Sequence, residues 1–270
     1  MDIKGLKIKS LWVRRQVLEM IAGAKKGHIG GAFSCADILT TLFYSGILKF
    51  DVKNPNWPQR DRFILSKGHS AATLYAILAD LGFFPVSELK NFCSNNSILG
   101  GHPDRRIPGI EADTGSLGHG LGIGAGIALS AKINRVKFMN VVLMGDGECD
   151  EGSVWEASMF AAHHKLNNLV AIIDRNRQCV TDFTEDCLSL EPLIDKWRAF
   201  NWDVRVVDGH SHEDLFTSLG DFRTRLDSRP LVIIAKTIKG KGVSFMEGKL
   251  VWHHSVPEGN SLELARRELS

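Results

Sequence analysis

The sequence has no block of lysines or arginines, no CxxC pair, no long apolar run and no tract of simple composition. Each absence removes a class of protein. The 33 basic residues nearly balance 31 acidic ones, for a formal charge of +2, and they are dispersed along the chain. Nucleic-acid binders usually cluster such charges on one face, so no nucleic-acid partner is expected. The five cysteines (Cys35, Cys93, Cys149, Cys179 and Cys187) are odd in number. That disfavours a disulfide framework or a structural zinc site and suits a reducing cytoplasm. No apolar run approaches the roughly 18 residues of a membrane span. The opening MDIKGLKIKSLWVRRQVLEM scatters charges among its apolar positions, and reads as an amphipathic helix and not as a signal peptide. These features predict a soluble, cytoplasmic chain with no membrane partner. Without internal repeats or a Pro/Ser-rich linker, the 270 residues read as one domain.

What is present is alternation. Short β-branched runs at 140–145, 168–174, 202–209 and 229–236 predict strands. Helical spacing fills 153–165, 190–200 and 212–226 between them, and 7–23, 35–46, 70–82 and 117–134 upstream. This order predicts an α/β fold, a parallel sheet flanked by helices on both faces. A helical N-terminal part precedes the sheet, and an irregular extension follows from about residue 239. The helix at 117–134 carries Gly118, Gly120, Gly122, Gly124 and Gly126. Each interior glycine costs about 0.5–1 kcal/mol relative to alanine. Such a helix persists where something packs closely on more than one side: the sheet on one, and on the other the same domain, a cofactor or a second subunit.

The stretch VVLMGDGECDEG at 141–152 sets a carboxylate, Asp146, at the tip of an apolar strand between two glycines. Ligands of open parallel sheets bind beyond the carboxyl ends of strands. Gly145 and Gly147 allow a sharp turn and the approach of a bulky anion, and the following helix N-terminus suits phosphate. A carboxylate repels phosphate unless a cation lies between them. A hard ion such as Mg2+ takes carboxylate, amide and carbonyl oxygens together. The next strand ends in Asn176, with the carbonyl of Gln178 two residues on, so Asp146, Asn176 and Gln178 form a candidate ligand set.

Eight of the ten histidines divide into two groups. His163 and His164 lie on a helix, and His210 and His212 at a helix start, where hydrogen-bonded structural roles are expected. His28, His69, His102 and His253 lie in loops beside glycine, before proline or away from helical periodicity. Imidazoles converging from separate loops suit proton transfer and contact with a sugar-like substrate.

The segment GDGECDEGSVWEASMFAAHHKLNNLVAIIDRN resembles the diphosphate-binding motif of thiamine diphosphate enzymes in its transketolase form. KKGHIGGAFSCADIL, DRFILSKGHSAATLYAIL, GGHPD, PGIEADTGSLGHGLG, KTIKGKGVSFME and WHHSVP are similar to further transketolase segments in the same order. The resemblance implies a Mg2+/thiamine diphosphate-binding module, with Ca2+ or Mn2+ as substitutes. His69 would contact the diphosphate, and His28 and His253 would line the substrate channel near the thiazolium. His102 would bind the C1 hydroxyl of a ketose donor. Backbone at Gly115, Ser116, Leu117 and Gly147 would face the cofactor, with Glu148, Asn176 and His253 also in its binding set. Glu151 and Glu156 match acidic positions near a subunit interface, or alternatively serve the positive end of their own helix. The chain departs from the family at His119, His254, Ile29 and Ser116, where glutamine, glycine, proline and often proline are usual.

The glutamate that activates the aminopyrimidine, the aromatic that stacks on it and the arginines that grip a donor phosphate belong, in that family, to a pyrimidine-binding domain. The resemblance covers only the N-terminal half. It implies a separate C-terminal subunit, an α2β2 assembly and ketol transfer between sugar phosphates. A specialised enzyme handing a two-carbon unit to a carrier or unusual sugar is the first alternative. A non-catalytic module that retains the fold is the second.

Overall fold

Successive residues of the central strands are apolar, so both faces of the sheet require cover. In β2 (Asn140–Gly145), Val141 and Leu143 enter one core while Val142 and Met144 enter the other. In the computed structural model, which describes residues 1–270, the helices supply both covers. The first half of the chain forms α1 (Ile3–Ala24), α2 (Ile29–Ser34), α3 (Ala36–Tyr44), β1 (Arg62–Leu65), α4 (Ala71–Leu81) and α5 (His119–Ile133). After β2 come α6 (Gly152–His163), β3 (Leu169–Arg175), α7 (Thr184–Cys187) and α8 (Leu193–Ala199). Then follow β4 (Asp203–Asp208), α9 (His212–Gly220), β5 (Leu231–Lys236) and α10 (Gly259–Glu268). The five strands are parallel in the order β1-β2-β3-β5-β4.

The two cores are unequal. One holds 47 buried residues, where α1, α3, α4, α9 and α10 pack on the sheet, and the other 20, beneath α5, α6 and α8. The thinner layer leaves the outer surface of α5 and α6 open, with Ile123, Met159 and Phe160 exposed. No helix is long and apolar enough to cross a membrane.

All four expected strands form, and the structure adds β1, whose four residues pair with Asn140 to Leu143 of β2. A run so short carries no period of its own. The predicted irregular tail is also corrected. Leu250–His253 form a 3-10 turn, and α10 starts in a reciprocal cap between Glu258 and Ser261. This helix buries Ala265 against the larger core and pairs Arg266 with Glu19 of α1 at 2.7 Å. The helix is mostly polar, with Leu262 and Ala265 the residues that pack on the larger core.

The glycines of α5 face both ways. A Cβ on Gly120 would collide with Ser66 Oγ, and one on Gly124 would lie 2.5 Å from Val142 Cγ2, so these two seat the helix on the sheet. Gly122 and Gly126 meet nothing within 4 Å and are exposed.

Candidate active site

The register of β2 on β3 sets Gly145 beside Asp174. Asp146 and Asn176, each just beyond its strand, therefore emerge at the same edge of the sheet. They border one cleft. Gln178, Gly147, Glu148, Gly115 and Leu117 line it, as do His28, His69, His102 and His253. Residues from seven separate segments are thus brought together. Ser116 and His119 instead border a shallower depression outside this cleft.

Asp146 is only 1% exposed. Its Oδ1 accepts from Gly147 N at 2.9 Å, and its Oδ2 accepts from Arg177 N at 2.5 Å and Arg175 Nη1 at 3.2 Å. Burial first, then the charge of Asp174, pushes its carboxyl up to about 6, against the opposing pull of Arg175. Asn176 Oδ1 accepts from Gln178 N at 3.1 Å, and the Gln178 carbonyl accepts from Lys239 Nζ at 3.3 Å. Gln178 Oε1 is buried without a partner. A buried carboxylate held short of easy ionisation, beside an amide and a carbonyl oxygen, fits a hard divalent ion. Gly147 keeps the approach narrow but clear, since a Cβ there would lie 3.2 Å from Cys179 Cβ.

Glu148 has a different setting. Its carboxylate accepts from Gly118 N at 2.9 Å, from Gly145 N at 3.1 Å and from the Ser66 hydroxyl. It ties the ends of β1 and β2 to the start of α5, so its side chain is engaged within the protein. Gly118 begins α5 at φ +86, where a Cβ would also strike Glu151 Cβ at 2.6 Å. Glu151, just before α6, and Glu156 on it are exposed, on the chain's open side.

The imidazoles form one group. The His28 ring lies 5.5 Å from His69, 6.0 Å from His102, 5.5 Å from His253 and 4.5 Å from His254. Short α2 makes this possible: a Cβ on Gly31 would lie 3.1 Å from His69 Nε2. Burial, with neighbouring positive groups, pushes His28 down to about 4 and His253 down to about 3. Burial likewise lowers His69 and His102. These four rings are therefore free bases at neutral pH, able to accept protons from hydroxyl groups. His210 and His212 take the hydrogen-bonded roles expected of them, whereas His163 and His164 make no side-chain hydrogen bond. His210 Nδ1 meets Asp37 at 2.7 Å, His212 lies between Ser10 and Thr41, and His163 and His164 close α6.

Two lysines of the cleft were not expected from the sequence. Lys67, inside the SKGH segment, is 1% exposed and forms a buried ion pair with Asp174. Ser34 Oγ adds a 2.5 Å bond to Asp174, and Thr237 adds another. Lys239, in KTIKGKG, points onto the Gln178 and Cys179 carbonyls and is pushed down to about 8, mainly by burial. Both stand in family-like motifs, but lysine alone carries no pattern that separates a buried cation from a surface one. Cys179 and Cys187 are free thiols with Sγ atoms 2.8 Å apart.

Oxygen donors and neutral imidazoles sharing one cleft at the carboxyl ends of a parallel sheet are features of diphosphate-binding α/β enzymes. The family described as "Transketolase, thiamine diphosphate binding domain" matches residues 8–270. One subunit of the apulose-4-phosphate transketolase of Phocaeicola vulgatus is 43% identical over 272 residues, covering 100% of this chain and 95% of that one. A 6-deoxy-6-sulfo-D-fructose transketolase subunit of a Clostridium species is 41% identical over 243 residues, covering 90% of this chain and 88% of that one. Human transketolase is 37% identical across 99% of this chain, which spans 42% of its length. The solved transketolase of Campylobacter jejuni superposes with a TM-score of 0.92 at 30% identity, over 100% of this chain and 43% of that one. The chain belongs to the transketolase family, as its N-terminal, thiamine diphosphate-binding part.

Proposed function

We propose that the chain is the diphosphate- and metal-binding subunit of a split transketolase, acting with a separate C-terminal, pyrimidine-binding subunit. The observation that carries this reading is the junction of Asp146 and Asn176 at adjacent strand ends, in one cleft with four free-base imidazoles. The split is supported by relatives named as subunits, of which this chain spans 95% and 88%, against 42% of human transketolase.

When bound, thiamine diphosphate supplies the thiazolium carbon that carries a two-carbon ketol unit from a ketose to an aldose. Asp146, Asn176 and the Gln178 carbonyl would hold Mg2+, with Ca2+ or Mn2+ as substitutes. His69 and the backbone of Gly115, Leu117 and Gly147 would hold the diphosphate. His253 Nδ1 is buried without a partner, which makes it the acceptor best placed to take a proton from a substrate hydroxyl. His28 would share that role, and His102 would orient the donor's C1 hydroxyl. The open face of α5 and α6, edged by Glu151 and Glu156, would meet other subunits in a cytoplasmic α2β2 assembly. Residues 1–270 would act there as one module.

The test is reconstitution. The purified chain is mixed with Mg2+, thiamine diphosphate and sugar phosphates, with and without the C-terminal subunit. Ketol transfer is expected only when both chains are present, and transfer by this chain alone overturns the split reading. A second reading, a specialised substrate, is favoured by His254 in the channel wall, 4.5 Å from His28. A panel of phosphorylated, sulfonated and branched ketoses separates it from general sugar-phosphate exchange.

A further inference from the structure

His28, His253 and His254 stand close together in the cleft. One ring nitrogen from each lies within 4.8 Å of the other two. The His254 ring is 4.5 Å from both His28 and His253, whose rings are 5.5 Å apart. His253 is 6% exposed and its Nδ1 has no hydrogen-bond partner. The nearest cation, Lys239, turns its ammonium onto the carbonyls of Gln178 and Cys179 instead. No carboxylate belongs to the triplet, so its donor set is three nitrogens.

We propose that His28, His253 and His254 form a binding site for a divalent transition ion of the Zn2+ class, separate from the oxygen site built on Asp146. Three imidazoles with an open fourth position are an established zinc environment, with metal–nitrogen distances of about 2.0–2.1 Å. Exposed His254 is free to rotate and close the remaining gap. Imidazole favours Zn2+, Cu2+ and Ni2+, whereas Mg2+ prefers the carboxylate and amide oxygens across the cleft. The two sites thus sort ions by ligand softness. The proposal goes beyond the transketolase reading and stands on the three rings alone. Where both hold, the ion engages imidazoles that substrate would use, so Zn2+ inhibits ketol transfer and His254→Gly relieves that inhibition.

The probe is Co2+, titrated into the full chain with Mg2+ present in excess to fill the oxygen site. One bound Co2+ per chain is expected, with the visible bands of a nitrogen-rich four- or five-coordinate site, displaced by Zn2+. His254→Gly should abolish the bands and weaken Co2+ binding by about 100-fold or more, beyond what loss of a supporting group does. Asp146→Ala, and a His163→Ala/His164→Ala double variant of the surface pair, should keep them. His254→Gln, which fills the same space without an imidazole, replaces His254→Gly if the latter fails to fold. Bands that survive either His254 substitution, that vanish with the surface pair, or that never form at millimolar Co2+ overturn the proposal. A silent reconstitution assay alongside intact Co2+ bands would refute the transketolase reading and leave this site standing.

Discussion

Asp146 concentrates the chemistry of the site in one carboxyl. Its ionised form is opposed by burial and by Asp174, and a divalent ion would reverse that balance. Asp146→Ala should abolish Mg2+-dependent binding of thiamine diphosphate in calorimetry while leaving the fold intact; undiminished binding would place the ion elsewhere. The pH dependence has a definite sign. With a folded pKa of about 6 against an ordinary 3.8, the folded chain retains a proton that the unfolded chain releases. Through this group, ion-free stability falls as pH rises across that interval. Ion binding needs the carboxylate, so the gain in melting temperature from Mg2+ and thiamine diphosphate should be full above about pH 6 and fade as pH drops through it. Melting curves across that range, with and without ligand, check this, and a constant gain would contradict it. Lys67 makes a complementary case. Its ammonium and Asp174 are both fully buried, and removing one partner of such a pair typically costs about 3–5 kcal/mol. Lys67→Met should lower stability by that order in urea denaturation, and a change below about 1 kcal/mol would mean that Asp174 is neutral in the fold.

At the scale of the element, α5 separates glycines that serve the fold from glycines that leave a surface clear. Gly124→Leu would force a side chain into Val142, whose Cγ2 lies 2.5 Å from the Cβ position, and should destabilise by about 1–3 kcal/mol. Gly122 has nothing within 4 Å, so Gly122→Ala should stabilise the isolated chain by about 0.5–1 kcal/mol through helix propensity. Thermal melts of both variants test this division. If Gly122 lies under another subunit, Gly122→Trp should leave the isolated chain folded and block assembly, read by sedimentation velocity. Glycine spacing alone left the second side of this helix open. Strand periodicity predicted the four longer strands, whereas β1 and α10 escaped because one is four residues long and the other is mostly polar.

At the scale of the molecule, the unequal cores matter most. One face carries the core of 47 buried residues, while the α5–α6 face covers only 20 and exposes Ile123, Met159 and Phe160. Exposed apolar residues on this face fit the subunit interface proposed above. Adding the C-terminal subunit should therefore raise the affinity for thiamine diphosphate by about tenfold or more, because ligand and partner stabilise the same assembled state. Calorimetry with and without that subunit measures the difference; equal affinities would mean that this chain alone forms the binding site. Much of this organisation was legible in local pattern. Alternating strand and helix periods implied the parallel sheet, and Gly-Asp-Gly one βαβ step before Asn176 implied that Asp146 and Asn176 meet at one sheet edge, since both signals lie within contiguous stretches of chain. Convergence was not legible in that way. That Lys67 neutralises Asp174, that Glu148 turns inward, and that His254 joins His28 and His253 depend on loops distant in sequence meeting at one sheet edge. Side-chain type states what a residue is able to do; packing across the sheet sets which partner it meets, and so which of those capacities it uses.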